Sequence, residues 1–205
     1  MSRKIVALLL ITILCSATPV FATGTFGLGG GLLVPISEPE TRGVGNNVSL
    51  HYTNYGKRVG FSFELFHSSY PLEKDKVIKS LGYYSMVEET SWSFSGSYAV
   101  SEADLSLMFF GNDITSEEFV PVLIGGIGYG SLKTDRNLTL IDDNTGNVLE
   151  DARDSAQDQF LTLHAGGGMM MKIRKQLHVL IAVIYHEMRT SDRPVDMQFR
   201  LGLYF

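Results

Sequence analysis

The residues of this sequence that could support nucleophilic chemistry are His67 and Ser69. A serine hydroxyl becomes a nucleophile when a histidine accepts its proton and a carboxylate orients that histidine. A spacing of two places both side chains on one face of a β-strand, the face that also carries Phe61, Phe63 and Leu65. We expect this apolar face to point outward, so the pair would lie on an outer surface.

An acidic stretch from Asp135 to Asp158 is a candidate cation site. Asp142, Asn144 and Glu150 offer the oxygen ligands that calcium prefers, but their spacing matches only half of an EF-hand loop. The segment 144–146, Asn-Thr-Gly, has the composition of a β-turn. We therefore predict the tip of an outer hairpin here, with no metal site and no cofactor.

Charged and amide side chains also alternate with apolar residues along several segments. If these segments close around an interior, such side chains face inward and must pair with one another, because buried charge needs compensation. We favour a structural network over an ion path for this group. The predicted interior network consists of Glu64, His164, Lys172, Asp196, Gln198 and Arg200.

The last segment shows which element would position these side chains. Apolar residues occupy every second position from 195 to 205, with polar or small residues between them. A period of two predicts a β-strand, and about 9–11 residues suffice for a tilted strand to cross a bilayer. The apolar positions are Val195, Met197, Phe199, Leu201, Leu203 and Phe205.

The rest of the chain after residue 22 has the same character, with no apolar run long enough for a membrane-spanning helix. Only helices and closed barrels satisfy every backbone group in lipid. The sequence therefore predicts an all-β fold, an antiparallel up-and-down transmembrane β-barrel of eight strands. The predicted strands lie near 24–36, 47–55, 59–69, 84–100, 119–133, 158–173, 177–189 and 194–205.

The segment 101–118 fits more than one arrangement. It could be an unusually long inner connection after a strand at 84–100. Alternatively, 105–111 could be the true fourth strand, with 84–100 in an extended outer hairpin. A barrel of ten strands results if two strands have been merged.

The N-terminus has the pattern of a secretory signal peptide over residues 1–22, which leaves a barrel domain over 23–205. Arg3 and Lys4 precede a short apolar run, and Val20-Phe21-Ala22 forms a cleavage site. Loss of those two cations takes the formal net charge from −5 to −7 (−5 minus 2), a poor match to nucleic acid. The only cysteine, Cys15, lies within the predicted signal peptide, so no disulfide is expected.

One internal strand and the C-terminal strand carry a resemblance to a known family. The segment 119–129, FVPVLIGGIGY, and the ending Leu203-Tyr204-Phe205 resemble small bacterial outer-membrane β-barrels of the OmpA/OmpX and opacity-protein type. The resemblance implies a monomer in the outer membrane that contacts lipid and lipopolysaccharide. It also implies biogenesis through periplasmic chaperones and the barrel-assembly machinery, with Phe199, Leu201, Leu203 and Phe205 as the insertion signal.

Aromatic residues near the ends of the predicted strands are candidates for the interface girdle of a membrane barrel. These are Tyr52, Trp92, Tyr98 and Tyr129.

Three functions remain open on the sequence. The preferred one is a non-enzymatic barrel whose surface loops, near 70–90 and 134–157, serve adhesion, another surface interaction or envelope integrity. The outward His67 and Ser69 resemble the pair of lipid A deacylases, although that family carries it on the penultimate strand, where this chain has Tyr185-His186-Glu187-Met188. The third is a soluble periplasmic β-barrel or sandwich.

Overall fold

The structure, a computed structural model, describes residues 23–37, 42–72, 90–142, 144–174, 177–190 and 194–205. The predicted signal peptide lies outside the described residues, as does the segment 73–89 of the expected loop 70–90. No helix in the described part of the chain is long and apolar enough to cross a membrane. The eight strands are β1 (Thr23–Pro35), β2 (Gly45–Tyr55), β3 (Val59–Pro71), β4 (Thr90–Phe110), β5 (Phe119–Asp142), β6 (Val148–Arg174), β7 (Leu177–Arg189) and β8 (Val195–Tyr204).

The strands close into one barrel in chain order. Each pairs antiparallel with the next, and β8 returns to β1 with Tyr204 opposite Gly27. Closure leaves no free edge, which is the condition for spanning a membrane with strands. The prediction of an all-β, up-and-down barrel of eight strands is confirmed, and the ten-strand alternative is wrong.

The barrel has two rims that differ in their connections. The terminal rim carries the first and last described residues, the tight turn at 56–58 and the connection 111–118. The loop rim carries the β1–β2 connection, the β5–β6 hairpin tip and the β7–β8 connection. In outer-membrane barrels the rim with the longer connections faces the outside.

Side chains alternate between the lumen and the outer surface along each strand. Outward positions form a belt of exposed apolar residues in which Leu123 is 66% exposed and Ile127 is 59% exposed. An apolar surface of this extent is unfavourable in water, whereas the hydrocarbon of a bilayer solvates it. Phe199, Leu201 and Leu203 of β8 and the following Phe205, the four residues of the predicted insertion signal, all have exposed side chains in this belt.

The prediction for the fourth strand is corrected. β4 runs without interruption from Thr90 to Phe110, so 101–118 is not a long inner connection and 84–100 and 105–111 are not separate elements. Glu102 and Asp104 give this segment a polar composition, but both side chains are buried in the lumen. The alternation therefore continues through them, and the connection to β5 spans only 111–118.

The second predicted surface loop, 134–157, is also corrected. Most of it is paired: β5 and β6 pair from Phe119 opposite Met171 to Ile141 opposite Val148, with a register shift only between Leu140 and Ile141. The loop is therefore a long two-stranded hairpin. Its tip has Gly146 at a φ of 69°, a left-handed conformation that favours glycine, where the sequence predicted a turn.

The lumen has three layers. An apolar terminal cluster fills the terminal rim and consists of Tyr55, Met108, Phe110, Ile114, Val120, Val122, Ile124, Met170, Leu180, Ala182, Ile184 and Tyr204. A loop-rim cluster consists of Leu33, Phe66, Tyr70, Leu72, Tyr98, Val100, Phe160 and Met188. Between them lies a polar layer of His51, Glu64, Glu102, Asp104, Ser106, Thr162, His164, His186, Gln198 and Arg200, all buried.

Candidate functional site

The first part of the polar layer is built around Arg200 of β8. Its Nη1 donates to Glu64 Oε2 of β3 at 2.6 Å, and its Nη2 donates to Gln198 Oε1 at 2.9 Å. β3 and β8 are not neighbours in the sheet, so this ion pair reaches across the lumen. His51 Nδ1 lies 3.6 Å from the same Glu64 oxygen. The 2.6 Å hydrogen bond between Arg200 and Glu64 is charge-assisted, and such hydrogen bonds are strong where water is excluded.

The second part of the polar layer contains two carboxylates and two histidines. His186 Nε2 lies 3.1 Å from Glu102 Oε2, and Thr162 Oγ1 donates to Glu102 Oε1. His164 lies 3.8 Å from Asp104 through Nδ1 and Oδ2. The rings of His164 and His186 are stacked with their centroids 6.3 Å apart. Glu102, Asp104 and His186 also lie close enough together to hold a metal ion.

A third ion pair lies at the loop rim. Arg42, from the β1–β2 connection, places Nη1 3.1 Å from Asp196 Oδ1. Tyr70 donates its hydroxyl to Asp196 Oδ2 at 2.6 Å. The Arg42 guanidinium lies 5.2 Å from the ring centroid of Tyr70 and 4.9 Å from that of Tyr98. We call these four residues the Arg42 latch, because they hold a connection of the loop rim down onto the lumen.

The structure buries five of the six predicted network residues in the lumen: Glu64, His164, Asp196, Gln198 and Arg200. Lys172 is the exception, because its Nζ donates to the carbonyl oxygen of Thr115 at 2.8 Å in the connection at the terminal rim. The register of β6 against β7 shifts between Lys172 and Arg174. The shift follows Lys172, which still lies opposite the buried His178, so Lys172 keeps the inward alternation but sits at the mouth of the lumen, where its amine reaches the connection.

The connection at the terminal rim is ordered by a local turn. Thr115 donates from its amide (3.0 Å) and from its hydroxyl (2.6 Å) to Asp113 Oδ1. These hydrogen bonds hold the pKa of Asp113 below its ordinary value. Their contribution to stability is therefore present above the ordinary pKa of aspartate and is lost as the pH falls.

The predicted aromatic residues divide into two groups. Tyr129 is exposed on the outer surface and donates its hydroxyl to Gln159, while Tyr52 is half-buried against Phe26. Tyr98 does not belong to an interface girdle: its side chain faces the lumen and is buried in the loop-rim cluster. Trp92 lies within β4, and its side chain is outside the described part of the structure.

The predicted nucleophile pair is not brought together as expected. His67 Nδ1 lies 2.9 Å from Ser101 Oγ on β4, across the strand pair, and not on Ser69. His67 and Ser101 line an outward groove of about 670 Å³ with Leu28, Val48 and Leu65. No carboxylate of the described residues hydrogen-bonds His67, because Glu102 of the same groove points into the lumen and contacts His186.

The outer hairpin carries the polar groove of the loop rim. The groove has a volume of about 520 Å³ and is lined by Ser95, Gly96, Ser97, Asp135, Arg136, Asn137, Arg153 and Ser155. Asp135 accepts from Lys133 at 2.8 Å and from Ser155 at 2.8 Å. The groove is open because β4 contributes only the small residues at 95–97 to its lining. Arg136 and Arg153 give the groove a basic character.

Several residues of the polar layer were missed by the sequence reasoning. The same alternation that located the predicted network residues also places four others in the lumen: His51, Glu102, Asp104 and His186. His186 lies opposite Asp196 in the β7–β8 pair, so both side chains share the lumen face. A β7–β8 hairpin aligned in this register would have marked His186 as a lumen residue. Arg42 lies outside every strand, so no alternation marks it.

The comparisons with solved structures find the same architecture. A major outer membrane protein from Thermus thermophilus matches with a TM-score of 0.57 and 9% identity, over 90% of this chain and 99% of that one. Neisserial surface protein A (NspA) matches with a TM-score of 0.50 and 9% identity, over 88% of this chain and 95% of that one. The protein has the fold of a small bacterial outer-membrane β-barrel.

One further solved structure is also similar to this chain. Ail of Yersinia pestis, in complex with the heparin analogue sucrose octasulfate, matches with a TM-score of 0.49 and 13% identity over 88% of this chain and 96% of that one. No family model matches the sequence, and no curated protein does.

Proposed function

We propose that the protein is a non-enzymatic outer-membrane barrel that acts by surface interaction through its loop rim. The observation that carries this proposal is the length of β5 and β6, 24 and 27 residues. About 9–11 residues cross a bilayer, so both strands continue well beyond the membrane. The β5–β6 hairpin, with β4 beside it, therefore forms a paired surface outside the lipid.

The composition of this extension supports a contact surface. The apolar outward positions of β5 end at Tyr129, and Lys133 and Arg136 follow. A rigid hairpin presents its side chains at lower entropic cost than a flexible loop does. The groove of Ser95, Ser97 and Arg136 described above is the part of this surface with a defined shape.

The strand register suggests a deletion variant that tests the proposal. Asp135 lies opposite Ser155 on β6 and opposite Ser97 on β4. Residues 136–154 can therefore be replaced by Asn-Gly, and residues 73–96 by a short Gly/Asn turn, without shortening the membrane-spanning part. The deletion variant should fold and insert like the full chain.

The assay compares the full chain and the deletion variant on the surface of a non-adherent Gram-negative strain. Binding to immobilised matrix proteins and to purified lipopolysaccharide is measured at equal surface levels. We expect the full chain to bind at least one of these and the deletion variant to lose at least nine-tenths of that binding. Equal binding by both would contradict the proposal. A single exposed substitution on the terminal rim, Asn112→Ser, is the control.

A lipid A hydrolase is the second candidate, and the His67–Ser101 hydrogen bond on the lipid-facing surface favours it. No carboxylate among the described residues hydrogen-bonds His67 to orient its ring, so we expect no acyl-chain cleavage. Mass spectrometry of lipid A from cells with and without the protein tests this directly. A lost acyl chain that returns in a His67→Ala strain would make the enzyme the leading function.

A further inference from the structure

Among the described residues, the lumen contains more buried carboxylates than buried guanidiniums. Its buried carboxylates are Glu64, Glu102, Asp104 and Asp196, and its buried guanidiniums are Arg42 and Arg200. Arg200 pairs with Glu64 and Arg42 pairs with Asp196, as described above. Glu102 and Asp104 have no guanidinium partner among the described residues and lie instead beside His186, at 3.1 Å, and His164, at 3.8 Å. Two buried carboxylates this close together need a cation or a proton to compensate their charge.

The atoms around these two carboxylates converge on one point. Glu102, Asp104 and His186 each offer one ligand atom, and these atoms lie within 4.8 Å of one another. The three residues are at most 5% exposed. Asp104 Oδ1 has no hydrogen-bond partner among the described residues, and His186 turns Nε2 toward the same place, 3.1 Å from Glu102 Oε2. Carboxylate oxygen and imidazole nitrogen are the donors that a metal cation such as zinc uses.

Gly128 of β5 provides the space for this convergence. A Cβ at this position would collide with Asp104 Oδ1, Glu102 Oε1 and Thr162 Oγ1. Three oxygen atoms from two strands therefore occupy the space above a glycine. No left-handed backbone conformation at Gly128 requires glycine, so the requirement lies in the space.

We propose that Glu102, Asp104 and His186 form a divalent cation site inside the barrel, and that the cation is zinc. Zinc takes carboxylate oxygen and imidazole nitrogen at about 2.0–2.2 Å, so small side-chain shifts close the site around it. Calcium and magnesium prefer oxygen ligands alone. This inference is independent of the proposed surface function.

The surroundings suit a bound cation. Thr162 donates to Glu102, and His164 bridges Ser106, at 2.7 Å, to Asp104. Such outer contacts orient the carboxylates that hold a metal. The apolar clusters lie on both sides of the polar layer, so the ion would enter while the barrel folds and leave slowly afterwards.

The test folds the untagged chain into detergent micelles from urea in the presence of Zn²⁺, Ca²⁺ and Mg²⁺ together. The folded barrel is then passed through EDTA and its metal content is measured by inductively coupled plasma mass spectrometry. We expect about one zinc per barrel and at least tenfold less calcium or magnesium. Less than a tenth of a zinc per wild-type barrel would overturn the proposal, and Glu102 and Asp104 would then share a proton.

Variants of the site assign the bound zinc to these residues. Asp104→Asn and the double variant E102Q/D104N should lower zinc retention at least tenfold. Gly128→Ala keeps all three ligands but fills their space, so it should lower retention as well. His178→Gln, a buried histidine of the same strand as His186, is the matched control and should retain zinc. Equal retention in E102Q/D104N and the wild type would overturn the assignment.

Folding is monitored for every variant by the shift in gel mobility between heated and unheated samples. If a carboxylate variant fails to fold, the wild-type metal content and the Gly128→Ala variant still decide the question. Replacement of zinc by Co²⁺ gives a second readout, because a cobalt ion held by imidazole and carboxylates has a visible absorption band. Absence of that band in a cobalt-folded wild-type barrel would contradict the proposed ligand set.

Discussion

Arg42 illustrates how a single residue outside the strands can determine the stability of a rim. Its guanidinium is buried against Asp196, Tyr70 and Tyr98. Removal of one partner of a buried ion pair leaves the other charge uncompensated, which is more costly than the pair itself is stabilising. The loss of Arg42 should therefore destabilise the protein more than the loss of an exposed ion-pair partner.

The variant Arg42→Ala tests the latch. It should lower the free energy of unfolding by about 3–5 kcal/mol, because it leaves Asp196 buried without its cation. Urea unfolding in detergent micelles measures the difference. The matched control is Lys57→Ala, which removes a solvent-screened pair with Asp113 at 3.8 Å and should leave the unfolding midpoint nearly unchanged. Equal midpoints for the two variants would show that the latch is not stabilising.

The pair of Glu64 and Arg200 makes a second prediction, for a double variant. Arg200→Met alone leaves the buried Glu64 carboxylate without its cation, whereas E64Q/R200M removes both charges together. We expect the double variant to be more stable than Arg200→Met, with a coupling of about 1–3 kcal/mol. Unfolding midpoints of the wild type, both single variants and the double variant give the coupling. Strict additivity of the two single effects would contradict a direct interaction across the lumen.

The period of two in the sequence is sufficient to locate most of the predicted lumen side chains. Glu64, Asp196, Gln198 and Arg200 fall at regular inward positions of β3 and β8. Lys172 keeps the period, because it lies opposite the buried His178, but it is near the end of β6 and its amine donates to Thr115 at the terminal rim and not to the polar layer. Arg42 could not be found, because its position depends on how a connection folds back over the rim and not on a repeating pattern.

At the scale of elements, charged residues were the main obstacle to the sequence reasoning. Glu102 and Asp104 look like a solvent-exposed break, yet they are the lumen positions of one long strand. The acidic stretch 134–157 likewise looks like a loop, although it is a paired hairpin. Polar residues are compatible with strands wherever the strand faces a polar lumen or leaves the membrane, and composition alone does not separate these cases from loops.

Substitutions on the outer surface test where along the strands the apolar belt ends. Leu123 lies near the middle of the apolar stretch of β5 and is exposed. Leu123→Arg should lower the free energy of unfolding from a lipid bilayer by about 2–4 kcal/mol, because it places a cation in hydrocarbon. Ser97→Arg on β4, which lies opposite Asp135 beyond the belt, is the control and should have little effect. A similar cost for both would contradict the position of the belt.

At the scale of the whole molecule, the layered lumen determines what can pass through the barrel. The terminal cluster and the loop-rim cluster lie on either side of the polar layer, and both are built from buried side chains. An eight-stranded barrel is narrow enough for its side chains to fill it. Within the described part of the chain, we find a packed interior and not a water-filled channel.

Conductance in a planar bilayer tests this conclusion. The inserted protein should give no discrete current steps, because both ends of the polar layer are covered by apolar side chains. The latch variant Arg42→Ala is an informative comparison, since it loosens only the loop rim and should remain closed by the terminal cluster. Regular steps from the wild-type protein would contradict a filled lumen.

We propose that the barrel spans the outer membrane with its long hairpin outside the cell. Labelling of single cysteines on intact cells tests it most directly, because the only natural cysteine, Cys15, lies in the proposed signal peptide. A membrane-impermeant maleimide should label Thr145→Cys at the hairpin tip on intact cells. It should label Asn112→Cys at the terminal rim only after the outer membrane is permeabilised. Protection of both positions on intact cells, or the reverse pattern, would contradict this orientation of the barrel.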